Sequence, residues 1–288
     1  MAATVTVTTV TAATGMVVTA TAVTDTAGVR NKMIDLHIHI VPGIDDGADN
    51  LEDALEMAAA ASDSGVRAAA ASSHANLPGR DPLAWKQRYR DRLELLRAGL
   101  KKEGIPLEVY PAMELFAGGI SPEGRRVFAA AELEQGLDEG SLLTINGSRY
   151  PLVEFAFDTV SDHIEQTLKR LIKAGYVPVL AHPERYRCVR RRPDILYRYE
   201  QMGVILQVNK GSILGEFGER VRKAAHWILR QRLAGAVASD AHDPLLRTPD
   251  LEEVWDALDF HYGTGCAELL LSENPCRILH NKRIIPPR

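Results

Sequence analysis

Two histidines in an apolar stretch, His37 and His39, have the spacing of metal ligands. They lie in the run Met33–Val41 (MIDLHIHIV), which is typical of a buried strand. Side chains alternate between the two faces of a strand, so both imidazoles point the same way and could share one divalent ion. Asp35 falls on the same face and could sit beneath them. A carboxylate or a third histidine from elsewhere would complete such a site.

Metal-binding residue types recur at the ends of the later predicted strands. The candidate ligands are His37, His39, Asp46, His74, Glu114, His182, Asp240 and His242. The carboxyl ends of parallel strands converge on one face of an α/β barrel, so these side chains should meet in one pocket. Imidazoles mixed with carboxylates, without thiolates, suit Mn²⁺, Fe²⁺ or Zn²⁺. The set contains more ligands than one ion can bind and therefore predicts two or three metal ions. Enzymes that cleave phosphate esters commonly use several adjacent metal ions.

Two arginines follow closely on candidate ligands and are the predicted phosphate-binding residues. Arg185 lies three residues after His182, and Arg247 lies five residues after His242. A guanidinium is always charged and offers a fork of donors that matches phosphate oxygens. The other histidines are expected to be ordinary surface or core residues: His163, His226, His261 and His280.

The elements that must position these residues alternate between strands and helices. Strands are predicted over residues 33–39, 66–73, 107–113, 142–145, 151–155, 177–181, 204–208 and 234–238. Helices are predicted over 50–65, 82–102, 160–173, 193–202, 218–232, 250–258 and 264–271. About seven strands alternating with helices favour parallel β structure with helical crossovers. No Gly-x-Gly-x-x-Gly motif opens a helix, so an α/β barrel or distorted barrel is predicted rather than a dinucleotide-binding fold.

Composition excludes several other classes of protein. The 288 residues are 45% hydrophobic and carry a formal net charge of −4, which argues against nucleic-acid binding by bulk charge. No apolar run reaches membrane-spanning length. The three cysteines form no Cys-x-x-Cys pair, which favours a reducing compartment such as the cytoplasm. Residues 1–32 are rich in Thr, Ala and Val and are expected to be a disordered low-complexity tail before a single domain over 33–288.

Several motifs together resemble one known family. They are DLHIH with PGIDDG over residues 35–47, Ser73-His74, Glu114, NGSRY at 146–150, AHPERY at 181–186 and ASDAH at 238–242. This combination resembles the PHP-domain superfamily (polymerase and histidinol phosphatase). Within it, the sequence is most similar to the manganese-dependent protein-tyrosine phosphatases of bacterial capsule and exopolysaccharide loci. Two departures from the family pattern are Ala75 after the histidine of the second strand and Ala156 after Glu154-Phe155.

The resemblance implies a distorted (β/α)₇ TIM-like barrel with a site for two or three metal ions. Mn²⁺ is the expected metal. It carries the eight ligands over to the positions given above, and it assigns the two arginines to phosphate binding. The implied substrate is the phosphotyrosine tail of a bacterial tyrosine kinase that regulates polysaccharide synthesis. The family includes homo-oligomers.

The expected reaction is metal-assisted hydrolysis of a phosphomonoester. Cys188 is followed by Val-Arg-Arg-Arg-Pro, which lacks the glycine-rich frame of a Cys-x₅-Arg phosphatase loop, so a thiol-phosphate intermediate is not expected. The alternatives are another PHP phosphoesterase, such as a histidinol-phosphate phosphatase, and a non-catalytic regulator that binds the kinase. A metal-dependent amidohydrolase is a third, although no candidate for a carboxylated lysine lies among the strand ends.

Overall fold

The computed structural model describes residue 30 and residues 32–75, 82–118 and 128–286. The predicted low-complexity tail lies almost wholly outside these residues, so its disorder stays a prediction. No helix in the described part of the chain is both long and apolar enough to cross a membrane.

Eight parallel strands form the centre of the described fold. They are β1 (Met33–Ile38), β2 (Val66–Ala71), β3 (Glu108–Pro111), β4 (Glu114–Phe116), β5 (Leu152–Glu154), β6 (Val179–Ala181), β7 (Ile205–Asn209) and β8 (Ala234–Ala238). One sheet has the order β1-β2-β3, and a second has the order β4-β5-β6-β7-β8. Neighbours in both sheets pair in parallel, as predicted from the alternation of strands and helices.

The two sheets together make a barrel with seven strand positions. β3 and β4 belong to one run of chain and are separated by two residues, with β3 paired to β2 and β4 paired to β5. Single parallel bridges join the sheets, between Ile38 and Ala241 and between His74 and Glu114. The described strands therefore form a ring joined at two seams rather than one continuous ladder. This arrangement confirms the predicted distorted (β/α)₇ barrel.

Helices and short helical turns connect the strands and cover the outside. The helices are α1 (Leu51–Asp63), α2 (Pro82–Glu103), α3 (Ala130–Asp138), α4 (Ser161–Lys173), α5 (Arg187–Arg191), α6 (Ile195–Gln201), α7 (Lys210–Leu214), α8 (Glu219–Arg230), α9 (Glu252–Tyr262), α10 (Thr264–Glu268) and α11 (Asn274–Leu279). Asn50 caps α1 as predicted, because its side chain accepts a hydrogen bond from the N–H of Asp53 at 3.1 Å. In α4, Ile164, Leu168 and Leu171 are buried at helical spacing and face the strands.

Alternation along the strands sets the position of the site. Residues such as Leu36, Leu152 and Ile205 pack together in one buried cluster inside the ring, whereas Val153 and Leu206, one residue along, belong to the larger cluster under the helices. On β5 and β7 the side chains alternate with a period of two, so the next inward positions are Glu154 and Gln207, near the carboxyl ends. On β1 the pairing with β2 shifts between Asp35 and Ile38, and the polar residues near its carboxyl end are His37 and His39.

Two details of the predicted strands are wrong. Residues 142–145 do not form a strand; Ile145 instead begins a 3₁₀ turn, Ile145–Gly147, in which Asn146 has a φ of +51°. The amide of Asn146 donates to the carbonyl oxygen of Leu279 at 3.0 Å, which holds that turn against α11. Glu114 was expected to follow the third strand, but it begins β4, because its main chain bonds to Ser72 and Ser73 across the seam.

Candidate metal centre

The eight predicted ligands lie together at the carboxyl ends of the strands. His37 and His39 face each other with 3.2 Å between their Nε2 atoms. Two nitrogens bound to one ion at about 2.1 Å each lie about 3 Å apart, so this pair is spaced to share an ion. The Nε2 of His37 is 3.2 Å from Oε1 of Glu114 and 3.3 Å from Oδ1 of Asp240. Residues that are separated by two hundred positions in the sequence therefore meet at one point.

A second part of the cluster is built around Asp46, on the loop after β1. Its Oδ1 atom is 3.4 Å from Nε2 of His74 and 3.6 Å from Nε2 of His242. The rings of His39 and His242 are stacked with 4.0 Å between their centroids. Gly47 follows directly and lies so close to the carbonyl group of His39 that a Cβ would not fit there. The absence of a side chain at this position lets the loop fold back and bring Asp46 over the histidines.

Glu154 is a candidate ligand that the sequence analysis did not select. Its Oε1 atom is 3.5 Å from Nε2 of His182, which is also 3.5 Å from Oε1 of Glu114. Glu154 ends β5 at an inward position, so the strand-end rule that identified the other ligands would have found it too. The structure thus raises the number of carboxylates at the centre from three to four.

All the candidate ligands except His182 belong to three overlapping groups, and within each group the donor atoms lie within 4.8 Å of one another. The groups are His39, Asp46, His74 and His242; His37, His39 and Asp240; and His74, Glu114 and Glu154. Imidazole nitrogens and carboxylate oxygens in this mixture fit a divalent ion of the Mn²⁺, Fe²⁺ or Zn²⁺ type. Three adjacent groups fit the predicted two or three ions better than one.

Two of these residues have a backbone conformation that L-amino acids rarely adopt. His182 has a φ of +34°, and Asp240 has a φ of +53°. Left-handed conformations of non-glycine residues are costly and cluster at functional sites, where the surrounding structure holds them in place. Here His182 directly follows β6, and Asp240 is the second residue after β8.

The other ring nitrogens of three histidines bind acceptors that fix their orientation. Nδ1 of His37 donates to Oε1 of Gln207 at 2.9 Å, and Nδ1 of His242 donates to the carbonyl oxygen of Asp240 at 3.0 Å. Nδ1 of His39 is 2.8 Å from Oδ2 of Asp45. With the proton on Nδ1, each Nε2 presents a lone pair to the shared centre, which is the usual arrangement around a protein-bound metal.

Asp45, Gln207 and Asn209 are supporting residues that the sequence analysis did not assign. Gln207 donates to Oδ1 of Asn209 at 2.8 Å, and the amide of Asn209 donates to Oδ2 of Asp240 at 2.6 Å. A buried relay of hydrogen bonds therefore runs from His37 to Asp240 across the ends of β7 and β8. No pattern in the sequence marks amides at the end of a strand as parts of a metal site.

Asp35 contacts the main chain of His37 but belongs to none of the groups of donor atoms that could hold a metal ion. Its carboxylate accepts hydrogen bonds from the N–H and the hydroxyl of Ser239, with the former at 3.0 Å. Burial raises the pKa of Asp35, although the bonds from Ser239 oppose that shift. Asp35 joins β1 to the end of β8 below the site, as a structural support.

The electrostatics of the metal-free centre favour protonated imidazoles beside ionised carboxylates. Burial alone would lower the pKa of His37, but Glu114 and Asp240 outweigh it and raise that pKa. Burial alone would raise the pKa of Asp240, but His37 and Arg247 hold it far below its usual range. In contrast, burial and the charge of His39 lower the pKa of His242 to about 3. Divalent cations would take the place of the protons on the raised histidines, so metal binding should weaken as the pH falls.

Both predicted arginines reach the cluster. Nη1 of Arg185 is 3.3 Å from Oδ2 of Asp240, and its guanidinium lies between the rings of Phe157 and Phe217, at 4.3 and 4.4 Å from their centroids. Nη2 of Arg247 is 2.7 Å from the same Oδ2 atom and donates to the carbonyl oxygen of Asp240 at 2.9 Å. The aromatic rings restrict Arg185 to one plane.

The centre opens into a cavity of about 140 Å³ lined by residues of the cluster, both arginines and Phe116, Phe155, Ala156 and Phe157. A larger cleft of about 920 Å³ lies on the outside of the barrel, lined by residues of α8, α9 and α10 such as His226 and His261. We place the chemistry in the smaller cavity, because all three metal-capable groups of the described residues lie there or directly beneath it.

Comparison with known proteins agrees with this geometry. Residues 33–280 match the sequence model of the family described as capsular polysaccharide synthesis, CpsB/CapC. Tyrosine-protein phosphatase YwqE of Bacillus subtilis is 36% identical over 260 residues, which cover 89% of this chain and 96% of YwqE. Tyrosine-protein phosphatase CpsB of Streptococcus pneumoniae is 27% identical over 257 residues, covering 88% of this chain and all of CpsB.

Solved structures agree as well. One chain from the crystal structures of YwqE and CpsB, described as unique metal-dependent tyrosine phosphatases, matches with a TM-score of 0.77 and 36% identity over 89% of this chain and 98% of that one. Dihydropyrimidinase from Brevibacillus agri matches at 12% identity with a TM-score of 0.55 over 87% of this chain and 71% of its own, which shows the barrel fold alone.

Proposed function

The chain belongs to the capsular polysaccharide synthesis CpsB/CapC family, and we propose that it is a metal-dependent protein-tyrosine phosphatase of a capsule or exopolysaccharide system. The observation that carries this proposal is one cavity in which three metal-capable groups lie beside two arginines. A phosphomonoesterase needs both parts, cations for the reaction and donors for the phosphoryl oxygens.

The metal ligands in this proposal are the eight predicted residues together with Glu154. When bound there, divalent ions lower the pKa of water toward neutrality and offset the negative charge of the phosphoryl group. Of the ions that the donor set fits, we propose Mn²⁺, because the family resemblance implies it and the four carboxylates suit it. Asp45 and Gln207 would hold His39 and His37 in the orientation that binding requires.

The two arginines bind the phosphoryl oxygens in this proposal. Both contact Oδ2 of Asp240, so their guanidinium groups lie at the edge of the metal cluster. Their remaining N–H groups can donate hydrogen bonds to the equatorial oxygens, which stabilises the negative charge on those oxygens as the ester bond breaks. A phenol has a pKa of about 10, so tyrosinate leaves with less help from an acid than an alkoxide would need.

The substrate proposed is the phosphotyrosine tail of a bacterial tyrosine kinase that controls polysaccharide synthesis. The relatives compared above are named tyrosine phosphatases, and neither they nor the geometry favour the histidinol-phosphate alternative. We also propose the cytoplasm as the compartment, where an exposed free thiol such as Cys276 stays reduced. Assembly into a homo-oligomer stays a prediction.

Two rivals of other classes fit the described residues poorly. A non-catalytic regulator would tolerate the loss of ligands, yet all eight predicted ligands are present and converge. An amidohydrolase of the carboxylated-lysine type would need a lysine that points into the centre. Lys210 directly follows β7, but its Nζ atom binds Thr248 Oγ1 at 3.0 Å and the carbonyl oxygen of Asp250 at 2.9 Å, away from the cluster.

The test combines metal analysis with hydrolysis of a phosphotyrosyl peptide and of histidinol phosphate. We expect two or three ions per chain, hydrolysis of the peptide that is lost on chelation and restored by Mn²⁺, and little turnover of histidinol phosphate. His242→Ala should abolish turnover and lower the metal content, whereas His226→Ala, outside the cluster, should change neither. Full activity in chelated, metal-free protein would overturn the proposal.

A further inference from the structure

Two adjacent leucines beside the candidate metal centre are almost fully exposed. Leu245 is 83% exposed and Leu246 is 86% exposed. Single exposed apolar residues are common on protein surfaces and need no explanation. These two are the only neighbours in sequence within the described residues that are both large, apolar and exposed. Their position therefore calls for a functional reason.

The loop that carries the leucines is held firmly by its main chain. The carboxylate of Asp243 accepts hydrogen bonds from the N–H groups of Leu245 at 2.8 Å, Leu246 at 2.5 Å and Arg247 at 3.1 Å. The N–H of His242 donates to the carbonyl oxygen of Arg247 at 3.0 Å, which closes the loop at its base. The main chain that carries the two leucines is thus held in place, and a partner that binds them loses little conformational entropy in the loop backbone.

The same loop connects two residues of the catalytic cavity. His242 precedes it and Arg247 ends it, and both line the cavity of about 140 Å³. Pockets that enclose a whole small-molecule ligand usually measure about 300–1,000 Å³. A cavity this small can hold the phosphoryl group and part of the aryl ring. The polypeptide on either side of a phosphotyrosine must therefore lie outside the cavity, next to the loop whose two ends, His242 and Arg247, line it.

We propose that Leu245 and Leu246 form a docking ridge for the phosphotyrosine-bearing polypeptide and bind aliphatic side chains next to the phosphotyrosine. This inference rests on the proposed function and adds a basis for recognising the protein part of the substrate. The ridge is continuous with the catalytic cavity through Arg247, so a segment bound on it leads directly to the phosphate-binding groups. Contacts of this kind, remote from the reacting bond, let an enzyme discriminate between substrates that carry the same phosphoryl ester.

The experiment compares three substrates and three proteins. The substrates are a phosphotyrosyl decapeptide with leucines on both sides of the phosphotyrosine, the same peptide with serines there, and para-nitrophenyl phosphate. The proteins are the wild type, Leu245→Ser/Leu246→Ser and Phe260→Ser. Phe260 is a matched control, because it is 85% exposed and lies on α9, outside the loop.

We expect the wild type to favour the leucine-flanked peptide over the serine-flanked peptide by about tenfold or more in kcat/KM, because burying one leucine can supply a tenfold change. The double variant should lose this preference and keep its activity on para-nitrophenyl phosphate within about twofold. Phe260→Ser should behave as the wild type does.

Two results would overturn the docking proposal. One is a wild type that treats both peptides alike. The other is a double variant that keeps the preference; if this variant also dissociates a wild-type oligomer in light scattering, the ridge is a contact between copies of this chain. Failure of the wild type to hydrolyse any of the three substrates would instead overturn the proposed function itself, and the docking proposal with it.

Discussion

Replacing Asp45 with asparagine keeps the shape of the side chain and removes a carboxylate that serves three groups at once. Its Oδ2 atom lies 2.8 Å from Nδ1 of His39 and also accepts the N–H of His74 at 2.8 Å. Its Oδ1 atom accepts the N–H of Gly47 at 3.1 Å. Asp45 thus positions two candidate ligands and the loop that carries Asp46. Its own pKa is lowered, because His39 and His74 outweigh the effect of burial, so it is ionised at any pH near neutrality.

The asparagine amide cannot satisfy all three contacts, because one of its two ends donates hydrogen bonds instead of accepting them. If the NH₂ group faces Gly47, two donors oppose each other. If it faces His39, the imidazole must accept at Nδ1, which puts the proton on Nε2 and removes the lone pair that faces the centre. Loss of such a supporting partner typically costs about 10–100-fold in metal affinity. That corresponds to about 1.4–2.7 kcal/mol.

The assay is a titration of chelated protein with Mn²⁺ in competition with a fluorescent chelator, followed by activity on para-nitrophenyl phosphate over the same range of metal concentration. Asp45→Asn should shift both curves to about 10–100-fold higher Mn²⁺. Asp49→Asn, an exposed residue of the same loop, should leave them in place. Unchanged affinity in Asp45→Asn would refute the orienting role, and a lower kcat at saturating metal with normal affinity would place Asp45 in the reaction itself.

Three further changes test other parts of the centre. Glu154→Gln should lower the metal content by about one ion per chain and kcat by at least about tenfold, measured by elemental analysis and steady-state kinetics; normal metal content would exclude Glu154 as a ligand. Arg185→Lys keeps the charge but loses the planar contact with Phe157 and Phe217, so kcat/KM should fall about 100-fold with unchanged metal affinity, and a near-normal value would contradict the phosphate-binding role. Glu184 is buried, and burial raises its pKa to about 7. The pKa of a glutamate in the unfolded chain is about 4.3, so the stability of the wild type should fall as the pH rises from about 4.3 through 7. Glu184→Gln should therefore gain stability relative to the wild type by about 1 kcal/mol more at pH 8 than at pH 6 in metal-free denaturant unfolding, and a difference that does not grow with pH would refute a neutral Glu184.

The sequence predicted the barrel and the convergence of the eight candidate ligands because both follow from simple geometry. Strand periodicity places His37 and His39 on one face, and parallel strands bring their carboxyl ends to one edge. A residue that follows a predicted strand can therefore be placed at that edge from the sequence alone. The arginines were predicted because they closely follow two of the candidate ligands, and the family resemblance assigned them the same role. The boundaries of the long helices were also close, because caps such as Asn50 mark them.

What the sequence could not predict depends on contacts between strands. Gln207 and Asn209 act by linking His37 to Asp240, and an amide at a strand end has no such meaning until its neighbours are known. Phe217 follows a short helix and meets Arg185 only in three dimensions. The prediction of a strand at 142–145 was wrong for a similar reason. The local preference for extended structure is weaker than the contact between Asn146 and α11, which only the folded structure shows.

The candidate metal centre lies where the two sheets of the barrel meet. At one seam His39 N–H donates to the carbonyl oxygen of Ala241 at 2.9 Å, and Asp240 N–H donates to that of His37 at 2.7 Å. At the other seam, a single bridge joins His74 to Glu114. Five of the candidate ligands thus also join the sheets through their main chains: His37, His39, His74, Glu114 and Asp240. Few backbone hydrogen bonds cross either seam, so ions bound by ligands from both sides would act as cross-links, and the stability of the whole barrel would be coupled to metal binding.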